Sequence, residues 1–577
     1  MNKIKFLALL IFVISLFSCV EKMDYRNMDK DIKYGTSLVV PVGYSTLSAS
    51  ELFENIKDSN FIADKTNNII YYHFSDSYSF PVKEFLAVDL SITSKNSYPF
   101  KNQLGSVVLP TAVNSSNVST VNSQLKAIRN GEFDFAFDDY ESGNLVRRVD
   151  YVNIKSTTLK VSTNTTGITG LSATGAKIRV TFKFPQIAAL ANKTFTVDID
   201  ANSKQQEWAL NDVEIDFLSN HRPKSKVNID VDYSLICPSG STITLAANAD
   251  VESTVEFVNT VVYVAKGWLN HSTPISQDYV FEQRIPQPVS NSKLLNNDKL
   301  YFYNPVLTFT LRNNIGVPMV LNVNDIVCSN DAGQTIRANF NGSTSTTEKI
   351  NRSANIGTEG VTNIECNRTY GGTNQFFTIK KPNKFAYNFS VLVDHSVAQS
   401  DFTNNIQHFI VRPAYMKLDV DLKLPFHFDQ GSEFVSLDTI ADVRLDSLLR
   451  NVNIDIDKLN INLDFKNHTP MYGTAKVHFI DNQNTEVYSL DNVEIKCPDV
   501  DANGFAQKEA ETSLIIALNQ DNINKVRKTD KIVIEYAVKG KTANSQINIR
   551  ATDWIKVVVS LFGKASYNTN LDTLLKK

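Results

Sequence analysis

A period of two runs through most of this chain, and it narrows the possible folds more than any other feature. Leu418, Val420, Leu422 and Leu424 alternate with Asp419, Asp421 and Lys423, and Leu459, Ile461, Leu463 and Phe465 alternate with Asn460, Asn462 and Asp464. Ile178, Val180, Phe182 and Phe184 follow the same rule, as do Val227, Ile229, Val231, Tyr233 and Leu235. Successive side chains of a strand point to opposite faces, so each run buries one face and wets the other. Burial on one face belongs to antiparallel sheets, because parallel strands, covered on both sides, read as continuous apolar runs. Between the runs stand Ser329-Asn330-Asp331-Ala332-Gly333, Asp481-Asn482-Gln483-Asn484 and Asn503-Gly504. Their Asn, Asp and Gly tolerate the left-handed backbone of tight turns. Short strands parted by such turns predict a mainly all-β chain of tandem antiparallel β-sandwiches with a few short helices.

At 577 residues the chain is too long for one core, since single hydrophobic cores stop growing near about 250–300 residues. A length of about 150 residues per domain predicts three to five. Loop-like stretches place a signal peptide at 1–18, a polar tether at 19–33, a β-rich region with one helix at 34–141, and β-sandwiches at 142–290, 291–413 and 414–577. That helix is predicted over Ser48 to Ile62, with Ser48 as cap, Glu51 three residues on, and Leu52, Phe53 and Ile56 on one side. Shorter helices are predicted over Val121 to Ile128 and Gln520 to Val526. From Trp554 to Phe562 the mostly β-branched alternation of Ile555, Val557, Val559 and Leu561 predicts a strand.

Two segments read as copies of one unit. Asn304 to Asn314 leads to Pro318-Met319, and Lys458 to His468 leads to Pro470-Met471. Each is an alternating strand followed by a basic residue, an Asn, and a Pro that ends ladder pairing, with another strand beyond (Val320 to Val323, Ala475 to Phe479). The unit resembles the opening hairpin of the late-embryogenesis-abundant type-2 sandwich domain over some 25 residues per copy. That resemblance implies an immunoglobulin-like sandwich and carries no catalytic residues.

The N-terminus reads as an address. Lys3 and Lys5 precede an apolar run from Phe6 to Leu16, about 11 residues, too short to span a bilayer of about 30 Å as a helix. The run ends in Leu16-Phe17-Ser18-Cys19, which resembles the lipobox of bacterial lipoproteins and implies that Cys19 is acylated and becomes the mature N-terminus. Buried acyl chains, worth about 0.8 kcal/mol per methylene, hold a protein at a leaflet without a spanning helix. Surface lipoproteins of the Bacteroidota carry acids just after this Cys; Val20-Glu21-Lys22-Met23-Asp24 offers two, spaced apart, a partial match. The expected location is the outer membrane, the cell surface favoured over the periplasmic face. The triplets Asp438-Thr439-Ile440, Asp446-Ser447-Leu448 and Asp572-Thr573-Leu574 resemble the O-glycosylation acceptor of the same bacteria, which implies glycans on Thr439, Ser447 or Thr573. As a whole the chain resembles the large multi-sandwich lipoproteins of that phylum.

Chemistry is sparse. Net charge is −3 and the pI about 6.3, with no basic stripe, which argues against nucleic acid as a partner. The eight histidines are dispersed and no two stand four apart, so no H-E-x-x-H metal helix exists. Nucleophile elbows, phosphate loops and dinucleotide turns are missing too. Cys237, Cys328, Cys366 and Cys497 form no C-x-x-C pair; either they are buried thiols, or Cys328 and Cys366 form a disulfide, which an exported chain permits. Asp499, Asp501 and Asn503, followed by Gly504, look like the start of a calcium loop, but Ala510 stands where the bidentate acid belongs, and an Asx-rich hairpin is the plainer reading. Glycan binding would need exposed aromatic platforms, whereas Trp208, Trp268, Trp554, Tyr301-Phe302-Tyr303 and Phe376-Phe377 are expected in cores. The expected function is therefore non-catalytic and cofactor-free: an accessory or scaffold subunit that binds outer-membrane proteins, with glycan binding in polysaccharide uptake as the alternative.

Overall fold

The computed structural model describes residues 31–48, 61–63, 68–80, 92–99, 109–125, 130–135, 137–141, 144–202, 204–218, 225–270, 279–285, 301–429, 431–443, 445, 455–540 and 546–570. Strands account for 64% of the described residues and helices for 7%, the all-β sandwich architecture that the alternation predicts. The alternating residues face inward as expected: Leu418, Val420, Leu422 and Leu424 are all buried, and so are Ile178, Val180, Phe182 and Phe184.

The sheets resolve into three sandwiches of one topology. Numbering the strands of each unit 1 to 8 in chain order, one sheet runs 1-8-3-6 and the facing sheet 2-7-4-5, with all pairs antiparallel. In the first unit these strands are Ile92–Pro99, Asn130–Asp134, Asn144–Thr169, Lys177–Lys183, Phe195–Ile199, Gln205–Asp216, Lys226–Ile236 and Thr242–Leu269. In the second they are Ile70–Phe80, Tyr279–Arg284, Val306–Asn313, Met319–Ser329, a fifth split into Thr335–Arg337 and Thr346–Ile350, then Gly360–Cys366, Lys384–Val393 and Met416–Pro425. In the third they are Asp31–Ser48, Glu433–Ile440, Asp455–Asn467, Met471–Asp481, Glu486–Ile495, Ala510–Leu518, Thr529–Gly540 and Trp554–Asn570.

The units are not contiguous in sequence. The N-terminal segment lays down strand 1 of the third unit, then of the second, then of the first, after which the chain returns through the bodies in forward order. The described residues of 34–141, a stretch expected to form a body of its own, are instead shared among all three units. The boundary expected at 413 also moves, because Met416–Pro425 is strand 8 of the second unit. Pattern reading assumes that neighbours in sequence share a core; here antiparallel partners lie up to 539 positions apart, as Asp31 opposite Asn570 shows.

The predicted helix from Ser48 also changes. Ser48 closes a strand opposite Trp554 and Ile62 lies in the short strand Phe61–Ala63, while 49–60 lie outside the described residues. Val118–Leu125 and Gln520–Val526 are helices, and Trp554–Asn570 is a strand, as its branched alternation predicts.

The repeated strand-Asn-Pro motif is an arch rather than a hairpin. Its two strands enter facing sheets, Val306–Asn313 with Met319–Ser329 and Asp455–Asn467 with Met471–Asp481. The buried Asn holds the arch in the same way in both copies. Asn313 Oδ1 accepts from the Ile315 amide at 3.0 Å and its Nδ2 donates to the Asn351 carbonyl at 3.0 Å. Asn467 Oδ1 accepts from the Thr469 amide at 2.8 Å and its Nδ2 donates to the Lys496 carbonyl at 2.9 Å. Asn351 and Lys496 each directly follow the fifth strand of their unit, so one side chain pins two crossings between sheets. Asn313→Ala and Asn467→Ala should each lower stability by about 1–3 kcal/mol, the cost of leaving buried partners unsatisfied. Calorimetry of the full chain would read this as a lower melting temperature of the affected unit, and shifts too small to resolve in both variants would refute the role of the Asn.

Candidate functional site

Polar networks and aromatic contacts connect the sandwiches at the two places where they meet. At the first joint, His408–Val411 leaves the second unit and pairs antiparallel with residues 264–267 on strand 8 of the first. The Gly316 amide, in the arch of the second unit, donates to the Phe409 carbonyl at 2.9 Å. A Cβ on Gly316 would come within 2.3 Å of the Phe409 ring, so only glycine permits this approach.

Around that bridge lies a buried polar network. The Leu269 amide donates to His408 Nδ1 at 3.0 Å, which places the ring proton on Nε2, 3.1 Å from Asp401. Asp401 also takes the Arg352 guanidinium. Trp268 Nε1 donates to the Ala398 carbonyl at 2.6 Å, and its ring packs on Phe402 with centroids 4.5 Å apart. Arg148 grips the buried Asp150 through two bonds of 2.8 and 3.0 Å, with its guanidinium 5.2 Å from the Phe402 centroid, while Gln407 of the second unit donates to the same carboxylate at 3.2 Å. A hydrolytic relay needs a nucleophile on the ring nitrogen facing away from the acid. In His408 that nitrogen is occupied by a backbone amide, so this geometry ties strands together.

The second joint is apolar with a polar rim. Residues 427–428 pair with 547–548, Phe302 bridges Phe428, and Ile69 bridges Arg550. Phe302 and Phe428 are buried with centroids 5.2 Å apart, and one continuous core runs through the second and third units, whereas most of the first unit's core forms a separate cluster. On the rim, the Tyr303 ring stacks on His427 at 4.3 Å and lies under the Arg368 guanidinium at 4.3 Å, and Arg368 reaches Asp429 at 2.6 Å. His427 is 3.0 Å from Gln546, and burial holds its pKa below the usual value.

The Asp499–Gly504 loop belongs to this joint. Asp501 Oδ1 accepts from the amides of Asn503 and Phe505 at 2.8 and 3.0 Å, forming an Asx turn. The carbonyls of Asn503 and Gly504 accept from the side chain and the amide of Asn548. Gly504 sits at φ +86° with the Gln546 carbonyl 2.0 Å from where a Cβ would stand. The Asp499 carbonyl accepts from Gln507 at 2.8 Å. Among the described residues, no group of three or more His, Cys, Asp or Glu is placed to hold a metal.

The other predicted positions fall as follows. Cys19, Ser447 and Thr573 lie outside the described residues. Thr439 is exposed on the strand Glu433–Ile440, with its amide donating to Asp438 at 2.7 Å. Cys328 and Cys366 are free, so the disulfide alternative gives way to buried thiols. Cys328 Sγ points at the Phe376 carbonyl, 3.5 Å away, and burial pushes the Cys366 thiol up to about 12. Phe302, Phe376 and Phe377 are core residues. Trp554 stacks on His468 at 6.1 Å, and Trp208 packs edge-on against Phe195 at 5.3 Å. A groove of about 360 Å³ crosses the outer face of the third unit between Val435, Tyr472, Gly473, Ala537 and Lys539, with the Lys539 ammonium 5.4 Å from the Tyr472 centroid. Sequence reading missed the joints because His408, Asp401 and Arg352 carry no spacing signal; the fold of the second unit brings them together, and the first unit adds the Leu269 amide and Trp268.

No protein-family model matches the chain, and no curated protein matches it in sequence. Among solved structures, a Parabacteroides distasonis protein described as secreted aligns at 13% identity over 52% of this chain and 88% of its own, with a TM-score of 0.31. A structure of Sulfolobus turreted icosahedral virus covers 80% of this chain and 97% of its own at 8% identity and a TM-score of 0.11. The VP2 subviral particle of infectious bursal disease virus covers 90% and 86% at 8% identity and a TM-score of 0.14. These likenesses assign the chain to no family.

The first joint makes a pH prediction. Burial holds the His408 pKa below its usual value, against the pull of Asp401. In the unfolded chain the ring takes its proton near about pH 6.5. Acid therefore favours the unfolded form, and the stability that neutral His408 supports is whole above about pH 6.5 and lost as pH falls from there through the lower folded value. The melting temperature of the first and second units should drop between about pH 7.5 and 5, with a shallower slope in His408→Gln, which cannot titrate. Equal slopes by calorimetry would refute this.

Proposed function

We propose that the protein is a non-catalytic lipoprotein, held at the outer membrane through Cys19, that serves as an accessory or scaffold subunit of an outer-membrane complex. The observation that carries the reading is the use made of its reactive side chains. Each of the six described histidines has its ring bonded to a carboxylate or an amide: His73 to Asp421, His395 to Asn270, His408 to Asp401, His427 to Gln546, His468 to Asp553 and His478 to Glu486. The richest networks lock one sandwich to the next. Groups committed in this way hold units in fixed relation, which is what a spacer or scaffold requires. No helix among the described residues is long and apolar enough to cross a membrane, and acyl chains supply anchoring without one.

Two measurements test the proposal. Cys19→Ser should move the protein from the membrane to the soluble fraction, and its persistence in washed envelopes would overturn the anchor. After gentle detergent extraction, the native protein should migrate in a complex well above its own 64.6 kDa. Migration as a lone monomer, under conditions that preserve other outer-membrane complexes, would overturn the scaffold role.

A further inference from the structure

Strand directions give this molecule a polarity that runs against its sequence order. In the third unit, Asp31 pairs with Asn570 at one end of strands 1 and 8, and Ser48 pairs with Trp554 at the other. The second unit docks at the Trp554 end: the Ala551 amide donates to the Asn68 carbonyl at 3.0 Å, and Arg550 bridges Ile69. In the second unit, Ile70 and Pro425 lie at the end facing the third, whereas Phe80, Asn313 and Met416 lie at the opposite end, beside the first joint. In the first unit, Arg147 and Leu269 pair at that joint, while Thr169 and Thr244 pair at the far end. The three sandwiches therefore stand end to end, with the start of strand Asp31–Ser48 at one extreme and the 169/244 turn region at the other.

The far end of the first unit is built from segments of unusual composition. Residues 109–125, 164–176 and 237–249 contain no Asp, Glu, Lys, Arg, His, Phe, Tyr or Trp. At the chain's charged fraction of 21%, segments of this length would hold about nine charges. All three converge on the far end of the first unit. Ile243 pairs with Val113 and Thr244 with Thr169, the Leu245 amide donates to the Thr111 carbonyl at 2.8 Å, and a Cβ on Gly170 would come within 2.1 Å of the Thr242 carbonyl. Pro238, Ser239, Gly240, Ala246, Ala247 and Asn248 are exposed there.

We infer that the protein stands on the lipid leaflet on its last sandwich, with the Asp31/Asn570 end of the third unit facing the lipid and the 169/244 end of the first unit presented outward. This deepens the lipid-anchor reading and rests on it. Residues 20–30 span at most about 40 Å between Cys19 and Asp31. Strand Asp31–Ser48 has 18 residues, on the order of 60 Å at about 3.3 Å each, and two further sandwiches lie beyond it. The tether therefore reaches the near end of the third unit and falls short of the first.

The test places a donor dye on Ser37→Cys, exposed near the start of strand 1, or on Ser239→Cys at the far end, each in a Cys497→Ser background. The acylated full chain is reconstituted into phosphatidylethanolamine–phosphatidylglycerol vesicles carrying an acceptor on the lipid headgroup. Most donor emission should be lost at position 37 and almost none at position 239. Equal transfer from both, as for a molecule lying flat, or the reverse order, would overturn the polarity. Failure of the protein to float with the vesicles would instead overturn the anchor, so the two readings fail separately. A misfolded variant is recognised by an altered melting profile, and the neighbouring positions Thr36→Cys and Ser241→Cys then carry the same comparison.

Discussion

Everything in this fold depends on the pairing of strand 1 with strand 8 in each sandwich. Strand 8 lies second in its sheet, and without strand 1 it would be a long edge of unpaired amides and carbonyls, open to another chain. In the third unit that edge would be Trp554–Asn570, 17 residues long. The N-terminal segment covers all three such edges in one pass, in the reverse of the order in which the chain later builds the units. Closing the third unit joins the first described residues to the last, so its final sheet cannot complete until both are present. Pairings this distant impose large loop-closure costs and slow folding.

Because strands run along the stacking direction, the ends of the sandwiches become joints, and the two joints are made of different materials. The joint between the second and third units continues the apolar core through Phe302, Phe426 and Phe428 and then adds a strand pair. Burial of this kind is insensitive to pH. The joint between the first and second units depends more on His408, Asp401, Arg352 and the Arg148–Asp150 pair, buried groups whose worth depends on every partner staying in its charge state. The first sandwich is thus held by the more conditional contact.

The site was less legible in sequence than the fold. The arch asparagines at 313 and 467 were visible as a repeated spacing, yet their task, one amide accepting from i+2 while donating across to the end of the fifth strand, appears only when the facing sheets are in place. The Asp499–Gly504 loop reads in sequence either as ion-binding or as a turn. In the structure Asp501 gives an oxygen to two backbone amides and the loop carbonyls accept from Asn548, so the loop braces the strand that pairs with the second unit. His408 and Asp401 stand seven positions apart with no motif around them, and their pairing depends on a connection that leaves its own sandwich to join the next.

Alternation along each strand is a local property, and it determined that the chain is a set of antiparallel sandwiches with Leu418, Val420, Phe182 and their like inside. The lipobox-like end of the apolar leader and the scattered histidines are likewise readable one segment at a time. Which strand closes which sandwich was decided only in three dimensions, because backbone pairing carries almost no side-chain label: Asp31–Ser48 could serve any edge of matching length. The tertiary structure gave it to the last unit and so set the order of the three sandwiches along the molecule and the joints between them.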